Sequence, residues 1–194
     1  MAESQALTGP HSQSQYVIKR SFWSFLGRVF RVFAPDGSLA MYIKHPFMKL
    51  RDEFTIFADE GETSPILKVK ARQIVALNVA RDVFDSATGV RLGAIRSRGL
   101  KSLVRDTWDI LDASDTVIGL MQEDGAAMLR RFFPILTSKH HIELNGETVA
   151  TIRQRFRFFV KEFELDVTQP RLIDPRFAVA CGLLALMAES QREG

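Results

Sequence analysis

Asp174-Pro175-Arg176-Phe177-Ala178-Val179-Ala180-Cys181-Gly182-Leu183-Leu184-Ala185-Leu186-Met187-Ala188 is apolar without a break from Phe177 onward, and ends at Glu189, Gln191 and Arg192. Asp174 has the side chain of a helix N-cap, and proline is favoured in the first helical turn, so the stretch predicts a helix that is hydrophobic on every face. Its twelve apolar residues span ~18 Å. That falls short of the ~30 Å hydrocarbon core of a bilayer. A helix buried in a protein core is therefore expected, and no transmembrane segment.

Upstream the chain reads as a succession of hairpins. Four times an apolar run meets a turn cluster and a second apolar run: Val32 to Ala40 through Asp36-Gly37, Val83 to Gly93 through Asp85 and Gly89, Ile110 to Gly119 through Asp112 and Asp115, and Ile142 to Ala150 through Asn145-Gly146. Asp, Asn and Gly tolerate the positive φ of tight turns. Strands are expected around 16–20, 29–34, 38–43, 46–51, 53–58, 65–72, 77–85, 90–97, 107–112, 116–122, 139–144, 147–156 and 159–167. A short helix or an irregular connector is expected over 123–133. Strands followed by one wholly apolar helix imply an all-β fold, a closed barrel wrapped around that helix, because closure removes edge strands and the helix supplies the filling.

The chain has 194 residues and is 46% hydrophobic, enough for one sizeable core and one domain. Residues 1–14, rich in Ser and Gln, read as a disordered polar tail, 15–190 as the barrel domain and 191–194 as a C-terminal tail. A formal charge of +3 selects no partner by itself. The single cysteine, Cys181, excludes an intramolecular disulfide, and residues 1–15 contain no apolar signal-peptide core. A cytoplasmic location is the expectation.

Three runs carry a family resemblance: Leu67 to Gln73 with Asp82-Val83-Phe84-Asp85, Gly93-Ala94-Ile95-Arg96-Ser97-Arg98-Gly99-Leu100-Lys101-Ser102, and Asp106-Thr107-Trp108-Asp109-Ile110-Leu111-Asp112. With the terminal apolar helix, they make the chain from about Tyr16 to Ala188 resemble the LURP-one-related family. That family belongs to the superfamily of the tubby carboxy-terminal domain and the phospholipid scramblases. The resemblance implies a twelve-stranded antiparallel barrel around a central C-terminal helix; the lack of a catalytic motif in the residues leads separately to the expectation of a non-catalytic protein without a cofactor. Tubby domains recognise phosphoinositide headgroups with a Lys-x-Arg strand and an Arg on a neighbouring strand. Lys70 and Arg72 resemble the first element and Arg96 the second, with Arg98 and Lys101 nearby.

The residues themselves support a more general anion site. Lys68, Lys70 and Arg72 alternate with Leu67, Val69 and Ala71, so a strand places three cations on one face and three apolar groups on the other. Residues 66–105 carry nine bases (Lys68, Lys70, Arg72, Arg81, Arg91, Arg96, Arg98, Lys101, Arg105) against two acids (Asp82, Asp85), a local charge of +7. Residues 106–126 carry six acids and no base. Two readings stand. Either adjacent strands neutralise one another, or Lys68, Lys70, Arg72, Arg96, Arg98 and Lys101 form a patch for anionic phospholipid headgroups at a membrane surface.

Lys19-Arg20-Ser21-Phe22-Trp23-Ser24-Phe25-Leu26-Gly27-Arg28 mixes cations with aromatics. It reads either as an end cap of the barrel or as a second membrane contact. Arg153-Gln154-Arg155-Phe156-Arg157-Phe158-Phe159 repeats the mixture, but strand alternation turns the phenylalanines inward and argues against nucleic acid. Gly99-Leu100-Lys101-Ser102 lacks the adjacent Gly-Lys of a phosphate loop. His140 and His141 are strand neighbours with opposed rings, unsuited to one metal. Cys181 inside the helix is inert, and no nucleophile, carboxylate-pair or zinc pattern emerges. The functional readings are a lipid-docking module, a cytosolic scaffold for a protein partner with its basic strand neutralised by Asp106, Asp109 and Asp112, and third, lipid scrambling.

Overall fold

Period-two alternation becomes strand along most of the chain. The computed structural model describes residues 9–21, 28–45, 53–72, 80–98, 107–124, 139–155 and 160–192. The strands are β1 (Gln15–Ser21), β2 (Arg28–Phe33), β3 (Leu39–His45), β4 (Glu53–Phe57), β5 (Pro65–Ala71) and β6 (Ala80–Asp85). They continue with β7 (Arg91–Ser97), β8 (Thr107–Leu111), β9 (Val117–Glu123), β10 (Lys139–Leu144), β11 (Glu147–Arg155) and β12 (Val160–Val167), followed by the helix α1 (Pro175–Arg192). Each strand pairs antiparallel with its chain neighbours, and β1 pairs with β12 from Gln15↔Asp166 to Ser21↔Val160, which closes the barrel. The expected strand at 46–51, most of the expected helix or connector at 123–133, and Phe22 to Gly27 lie outside the described residues, as do Lys101 and Asp106.

Turn chemistry sets the hairpins. Asn145 and Gly146 have φ of 50° and 85°, the paired positive values of a two-residue turn whose twist matches the strands it joins. Asp36 Oδ1 accepts from the Ser38 backbone N–H at 2.9 Å, and Asp112 Oδ1 from those of Ser114 and Thr116 at 2.8 and 2.9 Å. Register shifts occur at Val32/Phe33, Ile56/Phe57, Val83/Phe84, Ile110/Leu111 and Ile142/Glu143. Such bulges add local twist, which curls a sheet towards closure.

The helix fills the barrel. Asp174 Oδ1 caps it by accepting from the Arg176 N–H at 2.8 Å. Ala178, Val179, Ala180, Cys181 and Leu183 are fully buried, so no face of this stretch meets solvent. They pack with inward strand residues such as Ile18, Phe30, Met41, Leu67, Ile110 and Ile152 in one core. The helix runs four residues beyond the apolar stretch. Among the described residues, no helix is long and apolar enough to cross a membrane. Upstream of β1, Pro10–Ser12 form a 3-10 turn that touches α1 and β3, and the Val167 N–H donates to the Ser14 carbonyl at 2.6 Å.

Burial raises the Cys181 thiol well above its ordinary value. A thiol reagent is expected to leave native protein unlabelled over hours and to modify it within minutes in denaturant. Rapid labelling without denaturant would mean that the barrel opens.

Candidate functional site: a cationic face on β5 to β8

Alternation along β5 turns Leu67 and Val69 into the core and leaves Lys68 and Lys70 on the outer wall. Register then assembles the face. Lys70 lies between Glu53 on β4 and Asp82 on β6, Asp82 is opposite Ala94 on β7, and Arg96 on β7 is opposite Asp109 on β8. Neighbouring strands are about 4.8 Å apart, so β5 and β7 are separated by roughly 10 Å across the wall. Lys68, Lys70, Arg72, Arg96 and Arg98 thus share one side of the barrel. Lys101 lies outside the described residues.

Every one of these five meets a carboxylate. Glu53 serves two lysines, with Lys68 Nζ at 2.5 Å and Lys70 Nζ at 3.8 Å. Lys70 Nζ also sits 5.7 Å from the centre of the Phe84 ring. Asp109 serves two arginines, Arg96 at 2.7 Å and Arg98 at 2.5 Å. Arg72 follows β5, its N–H donating to the Ala80 carbonyl at 2.9 Å, and its guanidinium grips Asp82 through Nε and Nη2 at 2.9 and 2.7 Å. It also bonds Asp115, from the turn joining β8 to β9. Arg91 completes the network, with Nη2 at 2.8 Å from Asp82 and 2.5 Å from Asp115, and Nη1 donating to the Ala113 carbonyl at 2.9 Å.

The charges tune one another. Hydrogen bonds from Arg72 and Arg91 hold the Asp115 carboxyl down at about 2. The Lys68 ammonium lowers Glu53, with Lys70 adding to it, and Asp82 and Asp115 raise Arg72. Lys68, Lys70, Arg96 and Arg98 stay 37–47% exposed at their side chains. Exposed pairs of this kind are worth ~0–1 kcal/mol each, so an external anion can compete for them.

Sequence reasoning found the cations and missed most of their partners. Asp109 neutralises Arg96 and Arg98, not the basic strand that the scaffold reading assigned to it. Asp112 instead holds its own turn, while Glu53, Asp82 and Asp115 take the pairing roles. Arg91 entered only as part of a charge count. Its signal was available: it immediately follows a turn, on the strand that carries Arg96.

The two histidines form no second centre, and most of the Lys19 to Arg28 and Arg153 to Phe159 mixtures lies outside the described residues. His140 is buried, with its ring centre 6.3 Å from that of Trp108, whereas His141 Nδ1 pairs with Asp124 at 2.5 Å. Among the described residues, no group of three His, Cys, Asp or Glu side chains could hold a metal ion. A groove of about 250 Å³ beside Val17, Pro35, Arg153, Glu164 and Asp166 lies on the β1, β11 and β12 wall, away from the cationic face.

A family model described as LURP-one-related matches residues 39–185. An X-ray structure of an Arabidopsis thaliana protein superposes with a TM-score of 0.50 over 93% of this chain and 94% of that one, at 13% identity. That similarity extends to the fold alone. No curated protein matches the chain.

Proposed function

The chain belongs to the LURP-one-related family, and on that premise we propose that it is a non-catalytic module that docks on anionic phospholipid through the outer face of β5 to β8. The sharing of carboxylates carries this reading. Six cations (Lys68, Lys70, Arg72, Arg91, Arg96, Arg98) meet four carboxylates (Glu53, Asp82, Asp109, Asp115), so 6 − 4 leaves +2 on one wall. Glu53 and Asp109 each divide one negative charge between two half-exposed cations. Those cations stand on the open wall of a barrel, where a headgroup reaches them without a channel. Each basic side chain close to an anionic membrane contributes ~1 kcal/mol.

Co-sedimentation with anionic vesicles tests the proposal. Native protein is expected to pellet at low salt and to release as salt rises, because screening shortens the reach of surface charge. Lys70→Glu with Arg96→Glu reverses two charges and is expected to reduce binding at least tenfold, with unchanged circular dichroism. Absence of native binding at low salt would transfer support to the protein-scaffold reading, which draws on the balanced set Arg72, Arg91, Asp82 and Asp115. Scrambling draws no support from α1, whose apolar faces are enclosed by strands.

A further inference from the structure

We infer that Asp115 is a built-in competitor for the ligand of this face: its carboxylate occupies the position between Arg72 and Arg91 that a phosphate monoester would take. The inference rests on the docking function proposed above and adds a ligand class and a selectivity device to it.

Arg72, just after β5, and Arg91, on β7, converge on the same two carboxylates. The two are not equivalent. Asp82 lies on the wall between them with its side chain 15% exposed, whereas Asp115 approaches from the turn after β8 and is 50% exposed. Asp82 is thus the permanent base of a two-guanidinium fork, and Asp115 sits on its solvent side.

Asp115 does nothing for its own turn with that carboxylate. Asp112 Oδ1 receives the Ser114 and Thr116 N–H groups, while Asp115 contributes its backbone, through an N–H to the Asp112 carbonyl at 3.2 Å and a φ of 68°. Asp and Asn are the non-glycine residues most at ease with such a φ. The side chain can swing away without undoing the hairpin.

An incoming anion must outbid a carboxylate already in place. A phosphate monoester carries close to two negative charges near neutral pH and presents three terminal oxygens, enough to bridge both guanidiniums. A phosphodiester carries one charge, no more than Asp115 itself. The carboxylate also stays ionised down to about pH 2, so it competes at every physiological pH. Selection for the monoester follows from charge, without a pocket shaped to the rest of the molecule.

The test compares native full-length chain, Asp115→Asn, and Asp115→Asn with Arg91→Gln. The probes are vesicles containing phosphatidic acid, a monoester, vesicles of matched charge containing phosphatidylglycerol, a diester, and soluble glycerol phosphate. Native protein is expected to prefer phosphatidic acid. Asp115→Asn is expected to gain about tenfold on phosphatidylglycerol, narrowing the preference, and removal of the Arg91 charge is expected to cancel that gain. Binding of glycerol phosphate at the affinity seen for phosphatidic acid would identify a soluble ligand, and binding to vesicles alone a lipid headgroup; either supports the inference if Asp115→Asn strengthens it. Salt-sensitive vesicle binding that Asp115→Asn leaves unchanged would overturn the inference and leave the docking function standing. No binding to any probe by native protein or by Asp115→Asn would overturn both.

Discussion

Asp85→Ala is expected to destabilise the protein by about 3–5 kcal/mol, the range for removing one partner of a buried ion pair. Asp85 and Arg176 are 7% and 8% exposed, and Arg176 Nη1 lies 2.6 Å from Asp85 Oδ2. The other oxygen, Oδ1, accepts from the Ala87 and Thr88 N–H groups at 3.0 and 2.8 Å. One carboxylate therefore organises the turn after β6 and fastens the start of α1. Asp174 at 2.7 Å from Arg176 Nη2 cannot take over both tasks. Denaturant titration should show the loss as a lower midpoint, and Asp85→Ala with Arg176→Met should recover part of it, because a buried guanidinium left with Asp174 alone is gone. A double variant no more stable than the single one would show that the pair does not act as a unit.

The same carboxylate gives the acid limb of the stability curve a sign. Burial pushes the Asp85 carboxyl up, but hydrogen bonds from the Thr88 backbone, Arg176 and the Thr88 hydroxyl outweigh it, so the folded value lies below the ordinary one. Its contribution is therefore present above the unfolded carboxylate value of about 3.9 and is lost as pH falls from there through the lower folded value. Asp85→Ala should flatten that limb.

Gly119→Ala is the second large effect, expected at about 3 kcal/mol or more. A Cβ built on Gly119 falls 1.9 Å from the Glu143 carbonyl oxygen and 2.7 Å from Leu144 Cδ2. Leu144 can adjust its rotamer, but the carbonyl belongs to the β9–β10 ladder, where Gly119 is opposite Leu144. Accepting one methyl means parting two strands of a closed wall that has no free edge to yield. Thermal melting against a control such as Val117→Ala, at an exposed position on the same strand, would check this. Similar melting temperatures for the two would show that the wall gives way locally at little cost.

Much of this architecture was legible from local chemistry. Asn145-Gly146 and Asp112 to Thr116 declare their turns because their φ preferences and side-chain acceptors act within four residues. Asp174-Pro175 marks the helix start for the same reason, and an apolar run with no polar face leaves only an enclosed position. The candidate site was legible by half. Alternation shows that Lys68 and Lys70 share a face, but the identity of the opposing residue depends on register, and register here is shifted by bulges at several hairpins. Glu53 is therefore hard to assign to Lys70, and Asp115 to Arg72 across 43 residues. The Asp85–Arg176 pair spans 91 residues. Its trace in the sequence is a cation in the first turn of a helix, where the macrodipole disfavours positive charge and a carboxylate partner is needed.

Because α1 follows all twelve strands in the chain, a ribosome makes the wall before its filling. From Val167 to Arg192 is 25 residues, about 1–5 s of synthesis at ordinary rates. Until α1 is made and released, the inward side chains of the strands lack the helix they pack against in the folded protein. A message truncated ahead of Phe177 would consequently yield a substrate for chaperones and aggregation, not a weakened copy of the protein.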